Sequence, residues 1–468
     1  MTAQAEARPR DAANLSDSGR LLKARLTERS GDDADYWAFK GNSKRSHGHA
    51  LFAYPAMMVP QLQGTLLDDL TAVDPDVLTC YDPFGGSGTV LTECMRRGLD
   101  FIGSDLNPLA ALIMTVKART PSAATLRSAL DHVLTQASRA RQSVPIVTFR
   151  GRDKWFTRHA AAELSALRAA IVAYPGRDTR RFLWVSLAET VRMVSNSRTS
   201  TFKLHAYPEE EIQARSPQPI ATFRRIAAAN IEQVGDLAAE LKASGYLRRG
   251  RYTGDATIIH ADVRDHGAWP ARRQADALMT SPPYGDNRTT VPYGQHAYLP
   301  LMWIDRTDLP AGQLVDDLLG SPYRTDAASL GGRRPTDPGL VEHDLAAKSD
   351  SVAITARALS RETGDGHHRF LSFCHDLEEA IAATGPRLRP GAMQFWTLGD
   401  RRIRGHRVPT TQIVAELSAA RGAVEVSTIR RAIPGNAKRM ALRNDTVATM
   451  STEDILVLQS PRTSASTP

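Results

Sequence analysis

The sequence predicts an α/β protein: a Rossmann-like sheet of seven strands that carries a helical insertion and a second, loop-rich insertion. Two strand-like segments, ending at Asp82 and Asp105, are separated by a glycine-rich turn and a helix, which is how a doubly wound sheet begins. A later strand-like segment ends in the rigid sequence T-S-P-P-Y at 280–284. Residues 119–251 have helical periodicity and are too numerous for a connection between neighbouring strands, so they predict an inserted helical subdomain.

The first segment is V-L-T-C-Y-D-P-F-G-G-S-G-T at 77–89, and it has the pattern of a strand, a tight turn and the start of a helix. Glycines at such a turn let a ligand approach the backbone, as nucleotide-like cofactors do. The lysine of a triphosphate-binding loop is absent, and the glycine spacing differs from that of dinucleotide-binding turns. Asp105 ends the second strand, where Rossmann-like sheets hold ribose hydroxyls. An ordinary turn followed by a helix cap is the alternative, and the joint occurrence of both features disfavours it.

The loop at 280–284 combines a hydroxyl, two prolines and an aromatic ring directly after an apolar run. Prolines fix their φ angles and donate no backbone hydrogen bond, so their carbonyls are held out as acceptors. Such a loop suits a flat ring with an exocyclic amino group: the ring stacks on Tyr284, while Ser281 and the Pro282 carbonyl accept the amino hydrogens. For this short motif alone, a strand-terminating turn with an aromatic lid is an equal alternative.

Further strands are predicted at 257–262, 276–279, 392–398, 423–430 and 455–458, which completes seven. Because the carboxyl ends of parallel strands meet at one edge of the sheet, the glycine-rich turn, Asp105 and the loop at 280–284 are expected to line one crevice.

The two loops, together with S-D-L-N-P-L-A at 104–110, resemble those of S-adenosylmethionine-dependent DNA methyltransferases that modify cytosine N4 or adenine N6. The sequence F-x-G-x-G at 84–88 matches that family's cofactor loop, and S-P-P-Y at 281–284 matches its catalytic loop. The segment Y-P-A at 54–56 is similar to the one that packs over the methionine part of the cofactor. Asp262, after the third strand, matches a carboxylate that reaches the cofactor's adenine amino group.

The resemblance implies S-adenosylmethionine as cofactor, double-stranded DNA as substrate and direct methyl transfer to a base extruded from the helix. The catalytic residues it implies are Ser281, Pro282, Pro283 and Tyr284. The cofactor-binding residues it implies are Tyr54, Pro55, Asp82, Phe84, Gly85, Gly86, Ser87, Gly88, Thr89, Asp105, Asn107 and Asp262. In this family a serine before Pro-Pro-Tyr is commoner where cytosine is the target, which favours cytosine N4 over adenine N6.

Two other functions remain open at this point. An RNA guanine-N2 methyltransferase also carries a Pro-Pro-Tyr loop, although it usually has an N-terminal RNA-binding domain, for which the residues before Tyr54 are too few. A non-catalytic Rossmann-like DNA-binding scaffold predicts a damaged cofactor or catalytic loop, and neither loop is damaged.

Composition is consistent with a nucleic-acid enzyme. The 468 residues carry a net charge of +8, and counterion release favours a polyanionic partner for a basic protein. Three cysteines without paired spacing argue against a disulfide framework and against a zinc site, and no metal is expected. No run is long enough to span a bilayer, and no signal peptide is evident, so a cytoplasmic location is expected. No nuclease or helicase motif is evident, so a restriction or phage-defence partner protein would have to supply any cutting.

The predicted catalytic domain comprises residues 47–118 and 252–458. Residues 1–46 are polar and lack apolar periodicity, which predicts a flexible basic arm. Residues 286–366 are rich in Gly, Pro, Asp and Arg and are predicted to form the loop-rich insertion, a candidate for DNA recognition, whose part beyond residue 331 orders only on DNA. Residues 459–468 are predicted to be a disordered tail.

A basic loop at 192–203, within the helical insertion, contains S-R-T-S-T-F-K. Its Ser, Thr and Arg donors suit contacts with phosphate. An ordinary connection between two helices accounts for the same residues equally well.

Overall fold

The structure is a computed structural model that describes residues 14–31, 35–40, 47–270, 273–287, 289–312, 315–433 and 451–462. In chain order the strands are β1 (Thr79–Asp82), β2 (Asp100–Asp105), β3 (Leu247–Arg248), β4 (Arg251–Tyr252), β5 (Ala256–His260), β6 (Ala275–Thr280), β7 (Leu388–Leu398), β8 (Arg401–Ile403), β9 (His406–Val408), β10 (Val424–Ala432) and β11 (Thr452–Gln459). The helices are α1 (Asp17–Ser30), α2 (Pro60–Val73), α3 (Thr89–Met95), α4 (Pro108–Ala118), α5 (Ala123–Ala140), α6 (Arg152–Trp155), α7 (Arg158–Ala173), α8 (Arg177–Val194), α9 (Glu209–Ala214), α10 (Pro219–Ala243), α11 (Tyr293–Trp303), α12 (Val315–Leu318), α13 (Arg324–Ala328), α14 (Pro338–Lys348), α15 (Asp350–Leu359), α16 (Gly366–Thr384) and α17 (Thr410–Ala419).

Seven of these strands form one sheet in the order β10-β11-β7-β6-β1-β2-β5. The strands run parallel except β11, which pairs antiparallel with both of its neighbours. This confirms the predicted Rossmann-like sheet of seven strands. The strand order reverses between β1 and β6, and in an open sheet of this kind ligands bind at that point, beyond the carboxyl ends of the strands.

The central strands are buried on both faces. Cys80 of β1 and Ala277 of β6 pack on the side of α1, α2 and α3, whereas the next residues, Tyr81 and Leu278, pack on the side of α15, α16 and α17. Helices on both faces explain why these strands have nearly continuous apolar sequences instead of an alternating pattern.

The helical insertion does not stand apart from the catalytic sheet. Helices α5, α7, α8 and α10 share one apolar cluster with α4, which follows β2, and with α11, which follows the loop after β6. The side-chain amide of Asn230, on α10, also donates to the carbonyl of Leu51 at 3.0 Å. The insertion therefore packs directly on the elements that lead away from the predicted site. Among the described residues, no helix has both the length and the apolarity needed to cross a membrane.

The prediction of a flexible arm at 1–46 is wrong for residues 14–31 and 35–40. Helix α1 begins at the cap Ser16 and buries Leu22 and Leu26 on one side. Its arginines reach the buried Asp69 of α2, with Arg25 at 3.1 Å and Arg29 at 2.5 Å. The buried leucines of α1 span too few turns to give a recognisable helical period. The ion pairs that fix the helix join residues far apart in sequence, so the sequence around α1 does not predict it. Residues 1–13, 32–34 and 41–46 lie outside the described part of the chain.

Two other boundaries also need correction. The described residues between 286 and 366 are not irregular, because helices α11 to α15 lie among them and Val352, Ala356 and Leu359 of α15 are buried. Gln459 does not begin a disordered tail. It ends β11, and its side chain is buried and bonds to Ser16 at both its oxygen and its nitrogen. Residues 463–468 lie outside the described part of the chain.

Candidate active site

A cavity opens at the carboxyl edge of the sheet, where β1, β2, β5 and β6 end. It contains about 840 Å³ of empty space, its open mouth included. Its lining combines most of the residues predicted from separate parts of the sequence: Tyr54, Pro55, Phe84, Gly85, Gly86, Ser87, Thr89, Asp105, Asn107, Asp262, Ser281 and Pro283. Four other predicted residues, Asp82, Gly88, Pro282 and Tyr284, do not line it. The structure thus brings both predicted loops to one crevice.

At Gly85 and Gly86 the glycine-rich turn presents bare backbone to the cavity. Gly86 has a φ of +49°, and a Cβ atom there would lie 3.3 Å from Cε1 of Tyr54. A Cβ atom on Gly85 would lie only 2.4 Å from Sδ of the buried Met114. Larger residues would therefore strain the turn or push it into the space that a ligand needs.

Asp105 holds this turn to the end of β2. One carboxylate oxygen accepts the N–H of Gly86 at 2.8 Å, and the other accepts the N–H of Asn107 at 2.7 Å. Burial raises the pKa of the Asp105 carboxyl to about 6. Each carboxylate oxygen can accept a further hydrogen bond, so Asp105 can still bind hydroxyl donors from within the cavity.

Two aromatic rings form one wall. Tyr54 and Tyr293, the latter at the start of α11, stack with their centroids 5.8 Å apart and an interplanar angle of 27°. The side-chain amide of Asn107 donates to the Tyr54 hydroxyl at 3.4 Å, while its oxygen caps α4 at the N–H of Leu109. Asn107 therefore connects the end of β2 to the aromatic wall.

Asp262 follows β5 and is clamped by Arg264, a residue that the sequence analysis did not single out. Nε of Arg264 donates to one carboxylate oxygen at 3.0 Å, and Nη2 donates to the other at 2.6 Å. Arg264 also pairs with Asp376 of α16 at 2.8 Å. The D-x-R spacing could have suggested this ion pair. Two residues alone, however, do not distinguish a bidentate pair in a site from an exposed pair on the surface.

Asp82 lies beneath the cavity and not in its wall. One oxygen accepts from the Thr280 hydroxyl at 2.7 Å and from the N–H of Phe84 at 3.1 Å. The other oxygen is buried and has no hydrogen-bond partner among the described residues. Burial raises the pKa of the Asp82 carboxyl to about 7. Its position indicates that it ties the ends of β1 and β6 together and orients the turn.

The S-P-P-Y loop is held by a chain of polar contacts. The Ser281 hydroxyl donates to the Tyr284 hydroxyl at 3.3 Å, which in turn donates to Glu453 of β11 at 3.3 Å. Glu453 also pairs with the buried Arg431 at 3.0 Å. Burial and the nearby Glu453 charge keep the pKa of Tyr284 well above its usual range, so the phenol stays protonated. Because Ser281 donates its own hydrogen away, its lone pairs can accept from a ligand.

Glu453 is separated from Tyr284 by 169 residues, so no local motif could have revealed it. The loop is fixed on its other side by Asp286, which is buried and pairs with Arg401 at 3.2 Å. The Arg401 guanidinium lies so close to Gly285 that a Cβ atom there would overlap it at 1.6 Å. Gly285 thus lets the buried ion pair pass directly behind the loop.

No group of three or more His, Cys, Asp or Glu side chains within the described ranges is arranged to hold a metal ion. The three cysteines are unpaired and buried. The polar side chains that line the cavity include those of Ser87, Thr89, Asp105, Asn107, Asp262, Arg264 and Ser281.

The sequence was compared with known proteins. No protein-family model matches the chain. A Type II methyltransferase of Kocuria varians, M.MvaI, is 27% identical over 468 residues, which cover 95% of this chain and 98% of that protein. A Type II methyltransferase of Methanocaldococcus jannaschii, M.MjaII, is 36% identical over 74 residues, 16% of this chain and 13% of that protein.

Among solved structures, an rRNA methyltransferase from Streptomyces viridochromogenes covers 90% of this chain and 94% of its own, at 14% identity and a TM-score of 0.33. A likeness this slight has no bearing on function. The similarity to M.MvaI extends over nearly the full length of both proteins. Together with the seven-stranded sheet, it shows that this chain is similar to Type II methyltransferases over almost its whole length.

Proposed function

We propose that this protein is a site-specific DNA methyltransferase that transfers a methyl group from S-adenosylmethionine to the exocyclic amino group of a base. The observation that carries the proposal is the single cavity in which the glycine-rich turn, Asp105 and Ser281 meet. The glycine-rich turn and Asp105 suit a nucleoside cofactor, and Ser281 presents an acceptor for an amino group. The similarity to Type II methyltransferases supports DNA as the substrate.

The lining fits S-adenosylmethionine in its chemistry. Both Asp105 and Asp262 line the cavity. In this proposal Asp105 would accept ribose hydroxyls, and Asp262 would accept the adenine amino group, as the resemblance implies. Tyr54 and the glycine-rich turn border the space for the methionine part, where side-chain-free backbone permits close approach. When bound, this cofactor supplies a sulfonium methyl group, which is the electrophile of the reaction.

Ser281 and the Pro282 carbonyl would then bind the target amine. The lone pair of a base amine is delocalised into the ring, so the nitrogen is a poor nucleophile. Accepting both N–H hydrogens favours a pyramidal nitrogen whose lone pair points at the methyl carbon. Transfer would form the carbon–nitrogen bond as the cofactor's carbon–sulfur bond breaks, and the nitrogen would afterwards lose a proton to solvent. The protein contributes mainly position and fixed dipoles.

The target base that we propose is cytosine, methylated at N4. Support comes from Ser281, because a serine in that position is commoner among cytosine-modifying members of the family that the two loops resemble. The alternative is adenine N6, which offers the same two N–H donors to the same acceptors. We also propose that the protein works beside a restriction or defence partner, since both curated relatives are Type II methyltransferases.

Transfer of labelled methyl groups tests the reaction. The protein is incubated with labelled S-adenosylmethionine and either unmodified DNA from a foreign host or total RNA. Label in DNA supports the proposal. Label in RNA alone would support the RNA guanine-N2 alternative instead. Cofactor binding without transfer to either substrate would leave the non-catalytic scaffold as the better explanation.

Tyr284 provides a graded test of base stacking. Tyr284→Phe keeps the ring and loses the hydroxyl between Ser281 and Glu453, so kcat/KM for DNA should fall only severalfold. Tyr284→Ala also removes the ring that the proposal assigns to base stacking, a contact worth about 1–3 kcal/mol per base, so kcat/KM should fall about tenfold to a hundredfold. Steady-state kinetics at varied DNA concentration measures both. Equal losses for the two variants would show that the hydroxyl and not the ring matters.

Cofactor affinity should depend on pH through Asp105. Its pKa is raised to about 6 in the folded protein, and ribose hydroxyls donate to the ionised form. The affinity should therefore be constant above about pH 7 and decrease below pH 6, by at most about tenfold per pH unit for one carboxyl group. Isothermal titration calorimetry across this range measures it. Asp105→Asn should flatten the profile, and an unchanged profile in that variant would assign the titration to another group.

A further inference from the structure

We propose that the hairpin at 196–207 and the end of α8 form a binding cleft for the DNA backbone. The inference rests on the proposed function and adds to it the place where a phosphodiester is held. The cleft is separate from the cofactor cavity, with about 300 Å³ of empty space, and its polar lining comes from Arg192, Ser195, Ser197, Arg198, Thr201 and Lys203.

The hairpin is a defined structure and not a loose connection. The N–H of Arg198 donates to the carbonyl of His205 at 2.8 Å, and the N–H of Tyr207 donates to the carbonyl of Asn196 at 2.9 Å. At its base, Asn196 bonds through its backbone to Trp155 and through its side-chain amide to Lys154. The donors of the cleft are therefore held in place before any ligand arrives.

The charge of the cleft is positive, and among the described residues only one of its three cations is paired with a carboxylate. Residues 190–208 contain no Asp or Glu, and the three glutamates that follow lie in the first turn of α9. Arg192 pairs with Glu189 at 3.2 Å. Within the described ranges, Arg198 and Lys203 have no ion-pair partner and are half-buried and exposed, respectively. Arg198 and Lys203 could therefore both contact one anionic group bound in the cleft.

The hydroxyl groups add donors of the right kind. Ser197 accepts the N–H of His205 at 3.2 Å, and Thr201 accepts the N–H of Lys203 at 3.2 Å. Neither O–H donates to a protein acceptor in the part of the chain that the structure describes, so each remains available. Hydroxyls, Arg and Lys together are the side chains that contact phosphate oxygens most often in protein–DNA complexes.

The hairpin is attached to the wall of the active site. Its Phe202 packs edge-on against His296 of α11, with ring centroids 5.6 Å apart. His296 in turn bonds to the carbonyl of Ala53, next to the cavity residue Tyr54, at 3.1 Å. Burial and the nearby Arg192 lower the pKa of His296 to about 3, so it is a neutral link and not a further cation.

The cleft is also close to the target base's expected position. His296 is three residues along α11 from Tyr293, which corresponds to about 4.5 Å of helix rise. Tyr293 lines the cofactor cavity itself. A DNA strand whose base enters that cavity must run its backbone past the adjoining surface. The basic cleft on that surface would hold a phosphate of the same strand and so fix the register of the extruded base.

The test compares two double variants with the same change in charge. Arg198→Gln with Lys203→Gln removes the free cations of the cleft. Arg139→Gln with Arg224→Gln removes two exposed cations from the groove between α5 and α10, which shares no residue with the cleft. For each protein, binding of a short fluorescent duplex is measured at several salt concentrations, along with KM for DNA and affinity for S-adenosylmethionine.

We expect the cleft variant to bind DNA at least about tenfold more weakly than the wild type. The slope of log affinity against log salt concentration should be smaller by about 1.8, the change expected for the loss of two phosphate contacts. KM for DNA should rise, while cofactor affinity stays at the wild-type value. The groove variant should change the slope much less. Equal slopes and equal KM values for the two variants would overturn the inference, and so would a defect seen with RNA but not with duplex DNA. If the wild-type protein transferred no methyl group to DNA, the proposed function would fail first.

Discussion

Replacing Ser281 with alanine is expected to lower kcat for methyl transfer by about a hundredfold to a thousandfold, the usual effect of losing one preorganised polar group at a reacting centre. The structure gives the reason. Ser281 lines the cavity and donates its hydrogen to Tyr284, which leaves its lone pairs to accept from the target amine. The affinity for S-adenosylmethionine should not change, because the proposed cofactor-binding residues lie outside this loop. Single-turnover transfer and calorimetric titration measure the two quantities.

Pro282→Ala is the matched comparison. It retains the backbone carbonyl and the serine, while it frees the φ angle, adds a backbone N–H and removes the ring of a buried residue. We expect kcat to fall less than about tenfold in this variant, since the loop is also fixed by the buried Asp286–Arg401 pair. A Ser281→Ala enzyme within about threefold of wild type would contradict the assigned role of the serine.

The second large effect is expected at Asp105. In Asp105→Asn the amide group would place a donor opposite the N–H of Gly86 or of Asn107, both of which now donate to the carboxylate. Hydrogen bonds to a charged group contribute about 1.5–3 kcal/mol each. The variant loses one such bond and sets two donors against each other, so cofactor binding should weaken about a hundredfold or more. Isothermal titration calorimetry with S-adenosylmethionine measures the loss, and circular dichroism checks that the sheet is retained.

Asp100→Asn is the control on the same strand. Asp100 lies at the opposite end of β2, where it accepts the N–H of Asp255 at 2.7 Å and pairs with Arg273 at 2.6 Å. This variant should lower the melting temperature and leave cofactor affinity at the wild-type value. A similar loss of affinity in both variants would mean that the effect comes from the strand as a whole and not from the carboxylate in the cavity.

The parts of the site that are contiguous in sequence were predictable. The turn at 82–89, Asp105 and the loop at 280–284 each have a local pattern, and parallel strands bring their carboxyl ends together. For this reason most predicted residues line the cavity. Asp82 is the instructive exception, because the next residues, Pro83 and Phe84, line the cavity while its own side chain turns into the sheet to accept from Thr280.

The contacts that hold the site were not predictable, because they join distant residues. Glu453 reaches Tyr284 from the last strand of the sheet, and Arg401 packs behind Gly285 from the hairpin after β7. Helix α1 was missed for the same reason, since its arginines pair with Asp69 on another helix. A single sequence shows which residue types occur, but it does not show which distant residues contact each other. Those contacts become visible only once the chain is folded.

The most direct test of the central claim is the identity of the modified nucleoside. Duplex DNA without amino-methylated bases is treated with the protein and S-adenosylmethionine, digested to nucleosides and analysed by chromatography with mass spectrometry. The account predicts N4-methylcytosine, absent when the Ser281→Ala variant is used at the same concentration. Detection of N6-methyladenine would support amino-group methylation of DNA but would identify adenine and not cytosine as the target base. Methylation at carbon 5 of cytosine, or a wild-type enzyme that modifies no base in DNA, would contradict the account.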